Sequence, residues 1–244
     1  MNDLSHMHIL ITGAGSGLGA AIAKSLVACG ARAALLDIHA ANAERIAREI
    51  DPGGDATLAL ACDICDSAQV THALNLVRAR WGQLDVLINN AGTDVTASIE
   101  EVDSAAWTRV IETNLIGPFQ LTKAAMPLLR AADRGRGGHI VNVASTASLR
   151  AWPNASAYHA SKWGLLGMSK AMHAELRPQG VRVTSLIAGG MRTPFLLDRF
   201  PDIDTATLQD PANVAEAILG VLLLPAASVV AEIMVLPMQE TSWP

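Results

Sequence analysis

Short apolar segments of the β type alternate with helical stretches from the beginning of this chain to its end. Within each β-type segment the apolar residues are consecutive, which is typical of strands in a parallel sheet covered on both faces. The alternation predicts a single doubly wound α/β domain over residues 1–244, with helices on both faces of a seven-stranded parallel sheet. The predicted strands are His8–Thr12, Arg32–Asp37, Thr57–Ala61, Asp85–Asn89, His139–Val143, Val181–Ile187 and Val229–Val235.

The segments between these strands carry the helical pattern. A long helical region, capped by Asp103 or Ser104, should run to Arg130, and Arg134–Gly138 should form a loop. Residues 188–210 form the longest stretch without clear periodicity, and such a loop in a compact domain is usually a lid or a binding loop. The other predicted helices are Leu18–Cys29, Ala40–Ile50, Ser67–Trp81, Ser156–Arg177 and Pro211–Leu224.

Charge and composition exclude several classes of protein. A formal net charge of −5 argues against a nucleic-acid partner, which needs a basic face. The longest nearly apolar stretch, between Glu216 and Glu232, holds 15 residues including Pro225, whereas a membrane span needs about 20. Three cysteines cannot build a disulfide framework, so we expect a cytoplasmic protein in a reducing compartment, without a membrane partner.

A glycine-rich turn follows the first predicted strand, with the sequence Thr12-Gly13-Ala14-Gly15-Ser16-Gly17-Leu18-Gly19. Glycines at a strand-to-helix turn let the backbone approach a ligand closely. The following helix offers free N–H groups and its positive dipole end to a pyrophosphate. A tight turn that binds nothing is the alternative interpretation.

Asp37 ends the second predicted strand, 20 residues after Gly17. A carboxylate at this place accepts hydrogen bonds from the ribose of adenosine and repels a 2′-phosphate. No Arg or Lys follows it closely in the sequence. The pattern therefore favours NAD over NADP, the alternative being a solvated acid at a strand end.

Three motifs resemble the short-chain dehydrogenase/reductase family: Gly13-x-x-x-Gly17-x-Gly19, Asn89-Asn90-Ala91-Gly92 and Tyr158-x-x-x-Lys162. The resemblance extends from the first strand to the seventh. It implies a Rossmann-type fold, oxidoreduction of CH–OH groups with NAD(P), and a homo-oligomer, tetramer or dimer, formed through long helices. Small residues that would allow such close packing are Ala157, Ala160, Ser161, Gly164 and Gly167.

Tyr158 and Lys162 are four residues apart on a predicted helix and share one of its faces. A phenol has a pKa near 10, and a nearby ammonium should lower it towards the value that a general acid–base needs. Tyr158 is the only tyrosine of the chain. The resemblance gives Lys162 a second role, binding the nicotinamide ribose.

The resemblance also points to Ser145 and Asn114 as catalytic residues. Ser145 precedes Tyr158 by 13 residues, which matches the family's catalytic serine, and it should hydrogen-bond the substrate oxygen. Asn114 matches an asparagine that holds a water linking the lysine to solvent. Pro118 has no N–H and leaves the carbonyl of Asn114 without its helical partner, which from the sequence alone predicts only a kink.

Cofactor contacts are implied by the same resemblance. Asp63 should meet the adenine, Asn90 the adenosine ribose and Thr193 the nicotinamide amide, although Ala188 departs from the family's usual proline. The full predicted cofactor set is Gly13, Ser16, Gly17, Leu18, Gly19, Asp37, Asp63, Ile64, Asn90, Tyr158, Lys162 and Thr193.

A metal or redox site is the alternative for Cys62-Asp63-Ile64-Cys65, which is formally a C-x-x-C motif. No second such motif or paired histidine accompanies it, so the sequence predicts no metal. The seven histidines show no ligand-like spacing, and His159 is expected to point away from the face that carries Tyr158.

The substrate pocket should be lined by Leu149, Trp152, Met191 and Phe195, whose apolar side chains favour a small alcohol or ketone. Arg150 or Arg192 could bind an acidic group of the substrate, but each is expected to be solvated or paired.

We interpret the chain as an NAD-dependent oxidoreductase that transfers hydride between a secondary alcohol or its ketone and the cofactor. Three alternatives stay open: an NADPH-dependent ketone or 3-oxoacyl reductase, a non-catalytic NAD-binding regulator, and a SAM-dependent methyltransferase. The methyltransferase would have no need of Tyr158 and Lys162.

Overall fold

Seven strands form one parallel sheet in the computed structural model of the chain, which describes residues 3–132 and 137–239. They are β1 (His8–Thr12), β2 (Arg32–Asp37), β3 (Thr57–Ala61), β4 (Val86–Asn89), β5 (His139–Ser145), β6 (Arg182–Ala188) and β7 (Glu232–Val235). Their order is β3-β2-β1-β4-β5-β6-β7, and each neighbouring pair is parallel. The predicted α/β class with a seven-stranded parallel sheet is confirmed.

Helices cover both faces of the sheet, and each face has its own apolar core. The α-helices are α1 (Gly17–Ala28), α2 (Ala40–Ile50), α3 (Ser67–Trp81), α4 (Ser104–Ile111), α5 (Gly117–Arg130), α6 (Ser156–Leu176), α7 (Pro194–Leu197) and α8 (Pro211–Leu223). One core joins α1, α2 and α8 to the sheet, and the other joins α3 and α5 to the opposite face. This double cover explains why the strands are continuously apolar.

Most predicted boundaries coincide with the observed ones, and the others differ by one to three residues. The strand predicted at Val229–Val235 begins only at Glu232, where its pairing with Ser185 starts. The aperiodic stretch 188–210 contains α7 and a 3₁₀ turn at Thr205–Thr207. The predicted loop Arg134–Gly138 lies outside the described residues from 134 to 136, as do the chain ends at 1–2 and 240–244.

The long helical region predicted to end at Arg130 is interrupted by a π-helical turn at Glu112–Ile116. The N–H of Gly117 donates to the carbonyl of Glu112, five residues back, so the turn contains one residue more than an α-helical turn. The turn closely precedes Pro118, whose missing N–H leaves the carbonyl of Asn114 without an α-helical partner. Such turns are frequent at functional sites.

The strand order reverses between β1 and β4, which opens a crevice beyond the carboxyl ends of these strands. Thr12, the last residue of β1, forms hydrogen bonds there with the residues that follow β4. Its Oγ1 accepts the N–H groups of Asn90 at 3.0 Å and Ala91 at 2.9 Å. Residues from both strand ends are thereby held at one place.

Among residues 3–132 and 137–239, none of the helices combines the length and the apolar composition that crossing a membrane would require.

A buried histidine at the start of β5 makes the stability of the fold depend on pH. Nε2 of His139 lies 2.8 Å from Oγ1 of Thr184, which itself donates to the carbonyl of Val230. The hydroxyl thus accepts from Nε2, and Nδ1 has no hydrogen-bond partner among the described residues. Burial, with a contribution from the charge of Arg182, lowers the pKa of His139 to about 3.

We expect His139 to make the fold sensitive to acid. Because its folded pKa is depressed, only the unfolded chain binds this proton between pH 6.5 and about 3, so stability falls as the pH falls through that range. In His139→Gln the slope of unfolding free energy between about pH 4 and 6 should decrease by about 1.4 kcal/mol per pH unit. Urea unfolding at several pH values measures it, with the exposed His72→Gln as control. An unchanged slope in His139→Gln would contradict the assignment.

Candidate active site

The glycine-rich turn connects β1 to α1 in a backbone conformation that requires glycine. Gly13 and Gly17 have φ values of +63° and +51°, and a Cβ on Gly19 would collide with the carbonyl oxygen of Gly13. Ser16 is the N-cap of α1, yet its side chain makes no capping hydrogen bond. The first N–H groups of α1 therefore have no acceptor within the helix and remain available to an anionic group.

Asp37 lies beside this turn, as the sequence predicts. Its Oδ2 accepts the N–H of Gly15 at 3.0 Å, and its Oδ1 accepts the N–H of His39 at 2.9 Å. Each carboxylate oxygen keeps a further lone pair. A cation reaches the same turn from α2, because Nη2 of Arg45 donates to the carbonyl of Gly15 at 2.8 Å.

A cavity of about 720 Å³ extends from the glycine-rich turn across the carboxyl ends of the strands to α7. It brings together most of the residues that the sequence predicts for the site. These are Gly13, Ser16, Gly17, Leu18, Asn90, Ser145, Trp152, Tyr158, Lys162, Met191, Thr193 and Phe195.

The catalytic candidates meet in this cavity. Ser145, at the end of β5, lies near enough to the phenol of Tyr158, on α6, to lower its pKa. Lys162 follows one helical turn later, with Nζ 5.7 Å from the centre of the Tyr158 ring. This Nζ donates to the carbonyl of Val143 at 2.8 Å, which fixes the amine beneath the phenol.

Burial dominates the protonation of both groups. Desolvation raises the pKa of Tyr158 to about 12, and the charge of Asp94 adds to the rise, against the lowering effects of Ser145 and Arg199. Desolvation also lowers the pKa of Lys162 to about 8, opposed by Asp94. Desolvation is thus the largest influence on the phenol, and the lowering of its pKa by Lys162 stays a prediction.

Asn114 lies in the π-helical turn and connects it to α6. Its Oδ1 accepts the N–H of Thr93 at 2.8 Å, while its Nδ2 donates to the carbonyl of Thr93 at 2.8 Å and to Oγ of Ser161 at 3.0 Å. Ser161 in turn donates to the carbonyl of Tyr158 at 2.8 Å. Asn114 does not line the cavity, but it supports the helix that carries the phenol.

Two predicted cofactor residues follow β3 but do not line the cavity. The carboxylate of Asp63 accepts the N–H of Cys65 at 2.9 Å. The side chain of Ile64 is buried, and a Cβ on Gly117 would lie 2.8 Å from it, so it packs against the start of α5. Asn90 does line the cavity, and its Nδ2 also donates to the carbonyl of Thr12 at 2.8 Å.

The substrate half of the cavity differs from the predicted pocket at one position, Leu149. Leu149 does not line it and packs instead against Leu166 and Ile187, because the 3₁₀ turn after β5 directs it inward. Arg150 does not line it either. Arg192 donates to the carbonyl of Leu208 and pairs with Asp210 at 3.6 Å. It therefore joins the two ends of the stretch 188–210.

Two charged residues of this pocket are absent from the sequence prediction. Asp94 follows the Asn89–Gly92 motif, and Arg199 follows α7; both line the cavity. The guanidinium of Arg199 lies 3.9 Å from the centre of the Phe195 ring, and that ring lies 5.9 Å from the ring of Tyr158. The sequence offered one signal for each residue. Asp94 closely follows a strand end, and Arg199 lies within the longest aperiodic stretch, and both are places where ligands often bind.

Both ring nitrogens of His159 make contacts that the sequence does not predict. It is buried, and its Nε2 accepts the N–H of Trp152 at 3.0 Å. Nδ1 therefore carries the proton and lies 3.0 Å from the carbonyl of Ala147. His159 does not line the cavity, and its ring instead holds the segment after β5 against α6.

The thiols of the C-x-x-C motif have little thiolate character. Burial raises the pKa of Cys62 to about 11 and also raises that of Cys65. The described part of the chain contains no group of three or more His, Cys, Asp or Glu side chains that could hold a metal ion.

Comparisons with known proteins agree with this geometry. Residues 7–204 match the sequence profile of a family described as short chain dehydrogenase. The chain belongs to the short-chain dehydrogenase family. It is therefore an oxidoreductase of CH–OH groups that uses a nicotinamide cofactor. The methyltransferase alternative is wrong.

Several members of the short-chain dehydrogenase family are similar over most of the chain. The trans-4-hydroxycyclohexanecarboxylate dehydrogenase of Sinomonas cyclohexanicum is 39% identical over 192 residues, which is 76% of this chain and 73% of that protein. The 3-ketoacyl-(acyl-carrier-protein) reductase of Brucella melitensis, solved with NADH, has a TM-score of 0.86 at 33% identity and covers 96% of this chain and 98% of its own.

A third relative carries the other cofactor. The alcohol dehydrogenase of Thermococcus sibiricus, solved with 5-hydroxy-NADP, has a TM-score of 0.86 at 28% identity and covers 96% of this chain and 97% of its own. Short-chain dehydrogenases of this shape thus include both NADH and NADP complexes, and the choice depends on residues around the turn.

The residues of this short-chain dehydrogenase fit a dinucleotide. The glycine-rich turn lacks side chains where a pyrophosphate would approach, the N-terminal N–H groups of α1 lie free, and Asp37 keeps acceptor sites beside it. The same cavity continues to Tyr158, so a ligand bound along the turn reaches the acid–base group.

Proposed function

We propose that Tyr158, Ser145 and Lys162 carry out the proton transfer of a reversible oxidation of secondary alcohols to ketones with NAD as the oxidant. The observation that supports this is that all three residues line the same cavity as the glycine-rich turn. NAD, when bound, supplies the carbon that accepts or returns the hydride. We also propose that residues 1–244 act as one domain.

Tyr158 is the group that exchanges a proton with the substrate oxygen. In the reduction its phenol donates a proton to the forming alkoxide, and in the oxidation its phenolate accepts the proton of the alcohol. Ser145 hydrogen-bonds the same oxygen and holds it beside the phenol. Lys162, held by the carbonyl of Val143, favours the phenolate while it is protonated and positions the nicotinamide ribose.

Asn114 is proposed to connect Lys162 to solvent through a water on its main-chain carbonyl. Pro118 offers no N–H to occupy that carbonyl. The side chain of Asn114 is fixed by Thr93 and Ser161, so the peptide group has a constant position. A proton released at Tyr158 would leave along this route.

The cofactor preference is proposed to be NAD, on the support of Asp37. Its negative charge beside Gly15 disfavours a 2′-phosphate at that place. Arg45 is the observation that favours the NADPH-dependent alternative, but its guanidinium is engaged by the carbonyl of Gly15 and lies 3.8 Å from Glu49. With NAD, oxidation of the alcohol is the proposed cellular direction.

We also propose a cytoplasmic homo-oligomer, dimer or tetramer. Three free cysteines suit a reducing compartment.

The proposed oligomer rests on large apolar side chains that are exposed on adjoining elements. The exposed fractions are 40% for Ile116, 49% for Phe119 and 53% for Trp163. Some of the small residues noted in the sequence pack within the chain instead: Ala157 and Ser161 are buried, and Gly164 faces Leu115. A mass of one chain, 25.6 kDa, in sedimentation experiments would contradict the proposal.

Replacement of Asp37 tests the cofactor preference. The wild type should bind NADH more tightly than NADPH, and Asp37→Ser should shift the ratio of the two dissociation constants towards NADPH by about tenfold or more, because one repulsive charge is removed. Fluorescence titration with each cofactor gives both constants. Asp55→Ser, an exposed acid in the turn after α2, is the control that should leave the ratio unchanged. A wild type that prefers NADPH would overturn the proposal.

Tyr158→Phe should lower kcat for both directions by about 10²–10⁴-fold while NADH binding and thermal stability are retained. Steady-state rates at one saturating cofactor concentration measure the loss. A variant within a few-fold of wild type would show that another group transfers the proton.

The pH dependence of the wild type should differ between the two directions. The pKa of Tyr158, raised to about 12, leaves the phenol protonated at neutral pH, so reduction should persist at low pH and oxidation should rise with pH. The rise should flatten above pH 8, where Lys162 loses its charge. Oxidation that slows between about pH 6 and 8 would be inconsistent with Tyr158 as the base.

A further inference from the structure

Asp94 places a carboxylate inside the substrate half of the cavity. We propose that Asp94 binds substrate by accepting a hydrogen bond from a second hydroxyl group, so that the enzyme prefers diols and polyols to simple secondary alcohols. This inference rests on the proposed function, because it assumes that Tyr158 receives the proton of the reacting hydroxyl.

Asp94 and Tyr158 face the same space. Both line the cavity, and the charge of Asp94 acts on the ionisation of both Tyr158 and Lys162. Since charges interact appreciably only over short distances in a protein, the carboxylate lies close to the acid–base pair. A substrate whose reacting oxygen meets Tyr158 therefore has its neighbouring substituents near Asp94.

One oxygen of this carboxylate lacks a partner. Oδ1 of Asp94 accepts the N–H of Val95 at 2.7 Å. No residue within 3–132 or 137–239 donates a hydrogen bond to Oδ2, and none forms an ion pair with Asp94 within 4.0 Å. Desolvation raises the pKa of Asp94 despite the opposing charge of Arg199. A partly buried acceptor without a donor favours a ligand that supplies one.

The charges around Asp94 favour a neutral donor. Arg199 and Lys162 both act on the carboxylate as positive charges, so an ammonium group of the substrate would be repelled by two cations. An anionic group beside the reacting carbon would be repelled by Asp94 itself. A hydroxyl group carries neither penalty, and the remaining walls, which include Trp152 and Phe195, suit the carbon chain.

The test compares butane-2,3-diol with butan-2-ol, which differ by one hydroxyl group. With NAD, kcat/KM of the wild type should be at least about tenfold higher for the diol. In Asp94→Leu the ratio should fall by about 10- to 100-fold, because the charged acceptor is gone. Asp198→Asn removes the same charge from the exposed end of α7, outside the cavity lining, and should keep the wild-type ratio.

The outcomes separate this inference from the proposed function. If neither alcohol is oxidised by the wild type, the proposed function is contradicted. If both are oxidised with equal kcat/KM, or if Asp94→Leu lowers both values equally, only the polyol inference is overturned.

A second measurement needs no turnover. Tyr158 is the only tyrosine, so the ultraviolet absorbance of tyrosinate reports its ionisation alone. Asp94→Asn should move this titration to lower pH than in the wild type, because the charge of Asp94 raises the pKa of Tyr158. Asp198→Asn should not move it. An unchanged midpoint in Asp94→Asn would show that Asp94 does not face the phenol and would overturn the inference.

Discussion

Desolvation of one phenol and one amine is the constraint on which the site depends. Tyr158 and Lys162 lie one turn apart on α6, and the carbonyl of Val143 fixes the amine. Burial disfavours the charged form of each, which drives both towards neutrality. The chain's own groups therefore keep the phenol ready to donate a proton, and any positive charge brought into the cavity adds to its acidity. The rest of the fold keeps this pair both buried and reachable.

The sheet makes that combination possible. Its order reverses between β1 and β4, and the glycine-rich turn, the Asn90 segment and the end of β5 meet at the resulting crevice. Glycines and uncharged residues line the cavity beside the turn, whereas the wall near Tyr158 carries side chains of both charges, Asp94 and Arg199. The part of the cavity that fits the cofactor is thus separate from the charged residues proposed to select the substrate.

The sequence predicted the sheet and the acid–base residues because consecutive apolar strands and fixed motif spacings depend on local chain properties. It could not predict how strongly burial would raise the pKa of Tyr158, since desolvation depends on the whole surrounding fold. Leu149 was misplaced because the inward direction of a 3₁₀ turn has no periodic signal. Asp94 and Arg199 were missed for a related reason: each becomes significant only because the fold brings distant segments of the chain to one cavity.

The two walls of the substrate cavity differ in how they are attached to the helix that bears Tyr158. His159 ties one wall to that helix by two ring nitrogens, one toward Ala147 and one toward Trp152. The opposite wall touches it through the tilted rings of Phe195 and Tyr158, whose centres lie 5.9 Å apart. Hydrogen bonds are directional, whereas a contact between two rings tolerates a range of angles. The wall that contains Trp152 is therefore oriented more narrowly relative to α6 than the wall that contains Phe195.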